Sequence, residues 1–209
     1  MGNATTFHVS KSFLIICILN IHTLFNFRMH QTEKFSVSGV KGHDAIALEM
    51  PYAGKQVSMI IILPKAKDGL DELEKHFDNL DIGYRGAIDF HGDREVNLAL
   101  PKFKAESTHD LKDPLQKMGL KNIFDPRLAD FSGISSNNDL SVSKVIQKAF
   151  IEVNEEGAEA AAASGVKMVF KSLPPPKIDF ICDHPFLYMI KDNLTGVILF
   201  TGKITHPKV

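Results

Sequence analysis

Apolar positions in this chain fall into short runs separated by turn-forming residues, the pattern of a strand-rich fold. Residues 57–64, VSMIIILP, are almost unbroken apolar, with Gly54 just before them and Pro64 at their end. Such a run predicts a strand buried on both faces. Its neighbour AIALEMPYA, residues 45–53, is expected to pair with it. LDELEKHF then predicts a helix, with Leu70, Leu73 and Phe77 near one face and Asp71 and Glu72 in a first turn that suits carboxylates. Residues 94–103, REVNLALPKF, alternate apolar and polar and predict another strand. DLKDPLQKMGL predicts a second helix, with Ser107 or Thr108 as its cap, in which Pro114 must lie in the first turn or disturb the helix. VSKVIQKAFIEV, residues 142–153, predicts a long strand, and VILFTGKI closes the pattern. There is no internal repeat and no low-complexity linker, so a single α+β unit is expected.

One segment breaks the pattern. NEEGAEAAAASG, residues 154–165, places four alanines of high helix propensity between Gly157 and Gly165, both costly inside a helix. As a strand it would put Ala158, Ala160, Ala162 and Ser164 on one face and Glu159 on the other. A short surface helix and a loop able to become a strand are both compatible with its composition.

The first 28 residues are atypical, because residues 12–27, SFLIICILNIHTLFNF, form an apolar run. As a secretory signal it lacks a small-residue cleavage pattern, and as a membrane span it is short of the ~20 residues required. A signal, an anchor, a packed element and a gene-model artefact all remain open for it. MGNATT also fits the short myristoylation pattern.

Composition narrows the classes without naming one. With 209 residues, 44% of them hydrophobic, and a formal charge of −1, the chain can bury a sizeable core and gives no support for a nucleic-acid partner. Cys17 and Cys182 allow at most one bridge, and two unpaired thiols with Cys182 buried in a strand are expected. The nine histidines lack ligand spacing, and no nucleophile elbow, zinc-protease helix or phosphate loop is present. No metal and no cofactor is therefore expected. Asn3 and Asn193 head sequons that would accept glycans on a secretory path, Asn193 within the turn KDNLTG.

The string KVIQKAFIEVNEEGAEAAAASG, followed by DHPFLYMIKDNLTGVILFTGKITHP, resembles the reactive-centre hinge and carboxyl-terminal signature of the serpins. LEMPYAGKQVSMIIILPK and LPKFKAESTHDLKDPLQKMGLKNIFDPRLADFSGIS resemble further serpin segments. The likeness extends from about Met29 to Pro207, with Ala4 to Lys11 a further match, and implies a partial serpin domain over residues 29–209, with mixed sheets, a few helices and a long exposed reactive-centre loop at about residues 155–177. It implies an inhibitor, not an enzyme. A serine protease attacks the loop as a substrate, and the loop inserts into the central sheet before the acyl-enzyme is released. The implied hinge is Glu155, Glu156, Gly157, Ala158, Glu159, Ala160, Ala161, Ala162 and Ala163.

Serpin hinges start sixteen residues before the attacked residue, and counting from Glu155 gives the bond Lys171-Ser172 with Phe170 in the adjoining subsite. Lysine suits a pocket with an aspartate at its base, so the implied partner is a trypsin-like serine protease. Lys167 is the alternative target, but it leaves too few residues for insertion. Gln147 stands where many family members carry histidine; an amide still both donates and accepts. The resemblance also implies secretion, with an intracellular place left open because residues 1–28 make no convincing signal peptide, and it begins well inside the family pattern, so about the amino-terminal half of a serpin has no counterpart here. These residues alone are then expected not to trap a protease, and their open edges to favour aggregation or domain-swapped self-association.

Overall fold

In the computed structural model the described residues are 18–21 (backbone), 28–75, 88–90, 92–136, 139–154 and 176–207. Their strands are β1 (Ile18–Ile21), β2 (Arg28–Gly39), β3 (Ala45–Pro51), β4 (Val57–Pro64), β5 (Asp93–Pro101), β6 (Phe103–Asp110), β7 (Ile146–Val153), β8 (Ile178–Ile181), β9 (Phe186–Asp192) and β10 (Ile198–Ile204). Two six-residue helices, α1 (Leu70–Lys75) and α2 (Lys112–Lys117), accompany them.

Eight strands form one sheet in the order β1-β10-β9-β4-β3-β2-β5-β8, while β6 and β7 form a separate antiparallel pair. The large sheet is antiparallel except at its two margins, where β1 runs parallel to β10 and β8 runs parallel to β5. The backbone of part of the apolar run 12–27 thus adds an edge strand, with Ile18 opposite Thr201 and Ile21 opposite Ile204.

The unbroken apolar run of β4 has the expected cause. Met59, Ile61 and Leu63 face one hydrophobic cluster and Ile60 and Ile62 the other. Strand β9 repeats the arrangement, with Phe186, Tyr188 and Ile190 on the first side and Leu187 and Met189 on the second. Leu70 and Leu73 of α1 cover the second face, and Phe103, Ala105 and Val153 of the β6–β7 pair cover the first. Full burial of such side chains stabilises by about 1.5–3 kcal/mol each.

Three local expectations are corrected. Ser107 and Thr108 are not helix caps, because β6 continues through both to Asp110 in register with β7. The carboxylate of Asp110 instead accepts from the N–H of Lys112 at 3.1 Å, and Pro114 does fall in the first turn of α2. The strand expected over residues 142–153 begins at Ile146, since the preceding backbone is spent elsewhere: Val142 N–H donates to Ile123 O and Val145 O accepts from Leu111 N–H. Cys182 is a buried free thiol, but it lies just past the end of β8, donating its N–H to Ala99 O. Burial pushes its thiol pKa far up, which keeps it protonated and unreactive.

Tyr188 sits at the centre of the first cluster with its ring 5.3 Å from that of Phe103. A side chain at Gly202 on the neighbouring β10 would overlap the Tyr188 ring and hydroxyl. That hydroxyl is buried without a hydrogen-bond partner among the described residues. Gly202→Ala is expected to destabilise the fold by about 1–3 kcal/mol through overpacking. Tyr188→Phe is expected to be neutral or stabilising by up to about 1 kcal/mol, because it removes an unmet polar group. Urea unfolding of both variants checks the pair of signs.

Candidate functional site: the two anchors of segment 155–175

Residues 155–175 lie outside the described residues, and with them every hinge residue from Glu155 to Ala163, the bond Lys171-Ser172 and Phe170. Asn3 lies outside them as well. What the structure gives is how the chain enters and leaves that segment.

The entering strand is β7. Its pairing runs from Phe103 opposite Val153 to Asp110 opposite Ile146, and β6 is its sole partner among the described residues. Alternation directs Ala149 and Val153 inward and leaves Ile146 and Phe150 exposed, with Lys104 Nζ 4.7 Å from the Phe150 ring centre. The inner face divides into two halves. Near Val153 it is apolar and packs on the large sheet. Farther back, His109 opposes Gln147 and Ser107 opposes Ala149, and Ser107 Oγ, His109 Nε2 and Gln147 Oε1 are buried with no hydrogen-bond partner among the described residues. Next to the exit point, Val153 and Asn154 line a groove of about 190 Å³ floored by Met29, Met50, Leu98 and Leu100.

The leaving side is held by a greater variety of contacts. Lys177 Nζ pairs with Glu95 Oε1 at 2.7 Å, and β8 follows in register with Val96 to Ala99. A relay crosses three strands there: Thr32 Oγ1 donates to Asn97 Oδ1 at 2.9 Å, and Asn97 Nδ2 donates to Asp179 Oδ1 at 2.8 Å. Phe180 is fully buried. Beyond it, the His184 ring lies between Asp183 Oδ1 at 2.7 Å and the Pro64 carbonyl oxygen at 2.5 Å. Both partners offer acceptor oxygens to the ring nitrogens they face. The hydrogen bond from His184 holds the Asp183 carboxyl below its ordinary range. None of Asn97, Lys177 or His184 was expected to matter; period-two alternation could have put Asn97 on an exposed face, but not across from Asp179.

Asn193 occupies the turn between β9 and β10, as the sequence predicts. Asp192 Oδ1 organises that turn by accepting from the N–H and hydroxyl of Thr195 and the N–H of Leu194, and these bonds lower its pKa. Among the described residues there is no cluster of three metal-ligating side chains, and no helix is long and apolar enough to cross a membrane.

Strand β7 leads into the alanine-rich segment from one sheet, and β8 follows that segment at the margin of another. The serpin (serine protease inhibitor) family model matches residues 26–207, and the chain belongs to that family. Human serpin B4 is 44% identical over 179 residues, which are 86% of this chain and 46% of the human protein. The pig leukocyte elastase inhibitor is 42% identical over 194 residues, covering 86% of this chain and 48% of its own. Among solved structures, serpin48 of the insect Tenebrio molitor superposes with a TM-score of 0.64 at 38% identity, over 84% of this chain and 44% of that one. Uncleaved ovalbumin gives 0.62 at 29% identity, over 84% and 43%. The chain therefore spans about half the length of the relatives it matches.

The lowered pKa of Asp183 has a fixed sign. Its stabilisation is present above the ordinary carboxyl pKa of about 4 and is lost as pH falls through the depressed folded value. Asp183→Asn is accordingly expected to lower stability at neutral pH and to flatten the acid limb of a stability profile below about pH 4. Thermal unfolding of both proteins across that range is the measurement.

Proposed function

We propose that this chain carries the bait loop and feed strand of a serine-protease inhibitor of the suicide-substrate, loop-insertion kind. The bait is Lys171-Ser172, with Phe170 filling the adjoining subsite, and the target is a trypsin-like protease. A lysine fits a deep pocket ending in a carboxylate and does not fit the small pocket of an elastase. The relative named as a leukocyte elastase inhibitor therefore shares the family with this chain and not its target. The small hinge residues from Gly157 to Ala163 suit insertion because they bring no bulk or charge to an inner strand face.

The observation that carries the second half of the proposal is the state of β7. An inserted strand beside it needs a hydrogen-bonding neighbour on its far edge too, and β7 has β6 alone among the described residues. These 209 residues by themselves are accordingly a substrate and not a trap. The alternative is a non-inhibitory product, a decoy or binding module that presents a cleavable loop. The same edge supports it, and the size of the native product in tissue separates the two, a band near twice this mass favouring the inhibitor.

Incubating the 209-residue chain with trypsin tests the proposal. Cleavage after Lys171 without an SDS-stable complex is expected, and Lys171→Ala is expected to abolish cleavage at that bond. A covalent complex that survives SDS would overturn the claim that the chain alone cannot trap.

A further inference from the structure

The triplet Asn193-Leu194-Thr195 is an acceptor for an N-linked glycan by its sequence alone. The geometry of Asn193 argues against that use. Its Nδ2 donates to the Lys55 carbonyl oxygen at 3.0 Å and to Ser58 Oγ at 2.7 Å. A side-chain amide nitrogen carries two hydrogens, so both are committed. The backbone N–H of Asn193 donates in addition to Gln56 O at 2.8 Å. One residue thus ties the β9–β10 turn to the β3–β4 turn by two bonds and to the start of β4 by a third.

The β3–β4 turn depends on such a tie. Gly54 and Lys55 sit at φ 80° and 55°, and Lys55 is the only non-glycine residue at positive φ among the described residues. A residue with a side chain adopts that conformation at a cost of about 1–2 kcal/mol, and it persists where surrounding contacts hold it. Ser58, at the start of β4, is 1% exposed, and its hydroxyl accepts from the Asn193 amide.

We propose that Asn193 is a latch between two turns and that the folded protein carries no glycan on it. Attachment replaces one Nδ2 hydrogen by the anomeric carbon of a sugar and leaves one. At least one of the two donated bonds must then break, at Lys55 or at the buried Ser58. Leu194 is 94% exposed and Thr195 is exposed as well, so burial does not close the triplet; what is engaged is the amide nitrogen of Asn193, together with the Thr195 hydroxyl on Asp192. Glycosylation of this triplet and closure of the turn pair exclude one another.

Expression of the 209-residue chain through a eukaryotic secretory path, beside bacterial cytosolic expression, tests this. Peptide mass spectra are expected to find the soluble, monodisperse secreted fraction unoccupied at Asn193, with occupied molecules confined to the aggregated fraction. Thr195→Ala removes the acceptor triplet and the exposed hydroxyl bond to Asp192 but leaves the Asn193 amide and both its donated bonds, and is expected to raise the soluble secreted yield several-fold. Asn193→Asp removes the triplet and both donors while keeping the shape; it is expected not to restore the yield, and to lower the Tm of the cytosolic protein by roughly 5 °C. Soluble folded protein occupied at Asn193, or an unchanged Tm for Asn193→Asp, overturns the proposal.

Discussion

Strands β4 and β9 have no face left for water, and the placing of everything else follows from that constraint. A strand buried on one side needs one cover; a pair buried on both sides needs two. Here α1 supplies one cover through Leu70 and Leu73, and the β6–β7 pair supplies the other through Phe103, Ala105 and Val153. Tyr188 adds a shape condition, since its ring occupies the space left by the missing side chain of Gly202 and meets Phe103 on the cover. Apolar burial is non-directional, but a ring lodged over one glycine fixes β10 against β9 in one register.

Because β6 leaves β5 with Lys102 alone between them, the position of the cover is set by the large sheet. Strand β7 inherits that position through its register with β6, and so the point at which the chain enters residues 155–175 is fixed by packing many residues away. The return point is fixed differently. An ion pair at Lys177, a side-chain relay through Asn97, the buried ring of Phe180 and the contacts of His184 all hold β8 and its exit. The two ends of the proposed bait are thus carried by different sheets, and the return end has the greater variety of restraints.

Much of this framework was legible in the residues. The run VSMIIILP announced a doubly buried strand, the spacing of Leu70 and Leu73 announced the covering helix, and KDNLTG announced its turn. The family likeness was carried by the residues around the hinge and the carboxyl-terminal signature, and the family match bears it out. The failures share a cause, which is competition between local chemistry and distant pairing. Ser107 and Thr108 are good helix caps in isolation, yet their backbone is taken by partners in β7 some forty residues on. Val142 and Val145 have the composition of a strand, but their backbone groups serve the turns around α2. The bonds from the Asn193 amide to Lys55 and Ser58 had no local signal either, since those partners lie more than 130 positions earlier.

The inner face of β6–β7 shows why hydrophobic pattern alone could not finish the description of the site. Its apolar half is satisfied by whatever apolar surface it rests on, and the large sheet provides that. Its polar half is not, because Ser107 Oγ, His109 Nε2 and Gln147 Oε1 require partners in defined directions. Gln147 keeps the capacity to donate and accept, but its buried oxygen has no donor among the described residues. An apolar cover would leave all three atoms in the same condition, at a cost of about 1–3 kcal/mol for each buried unmet group. Any segment that completes this end of the strand pair must therefore bring polar groups, including a donor for the Gln147 oxygen. The requirement is set by this chain's own residues, and it is stricter than the requirement for another strand edge.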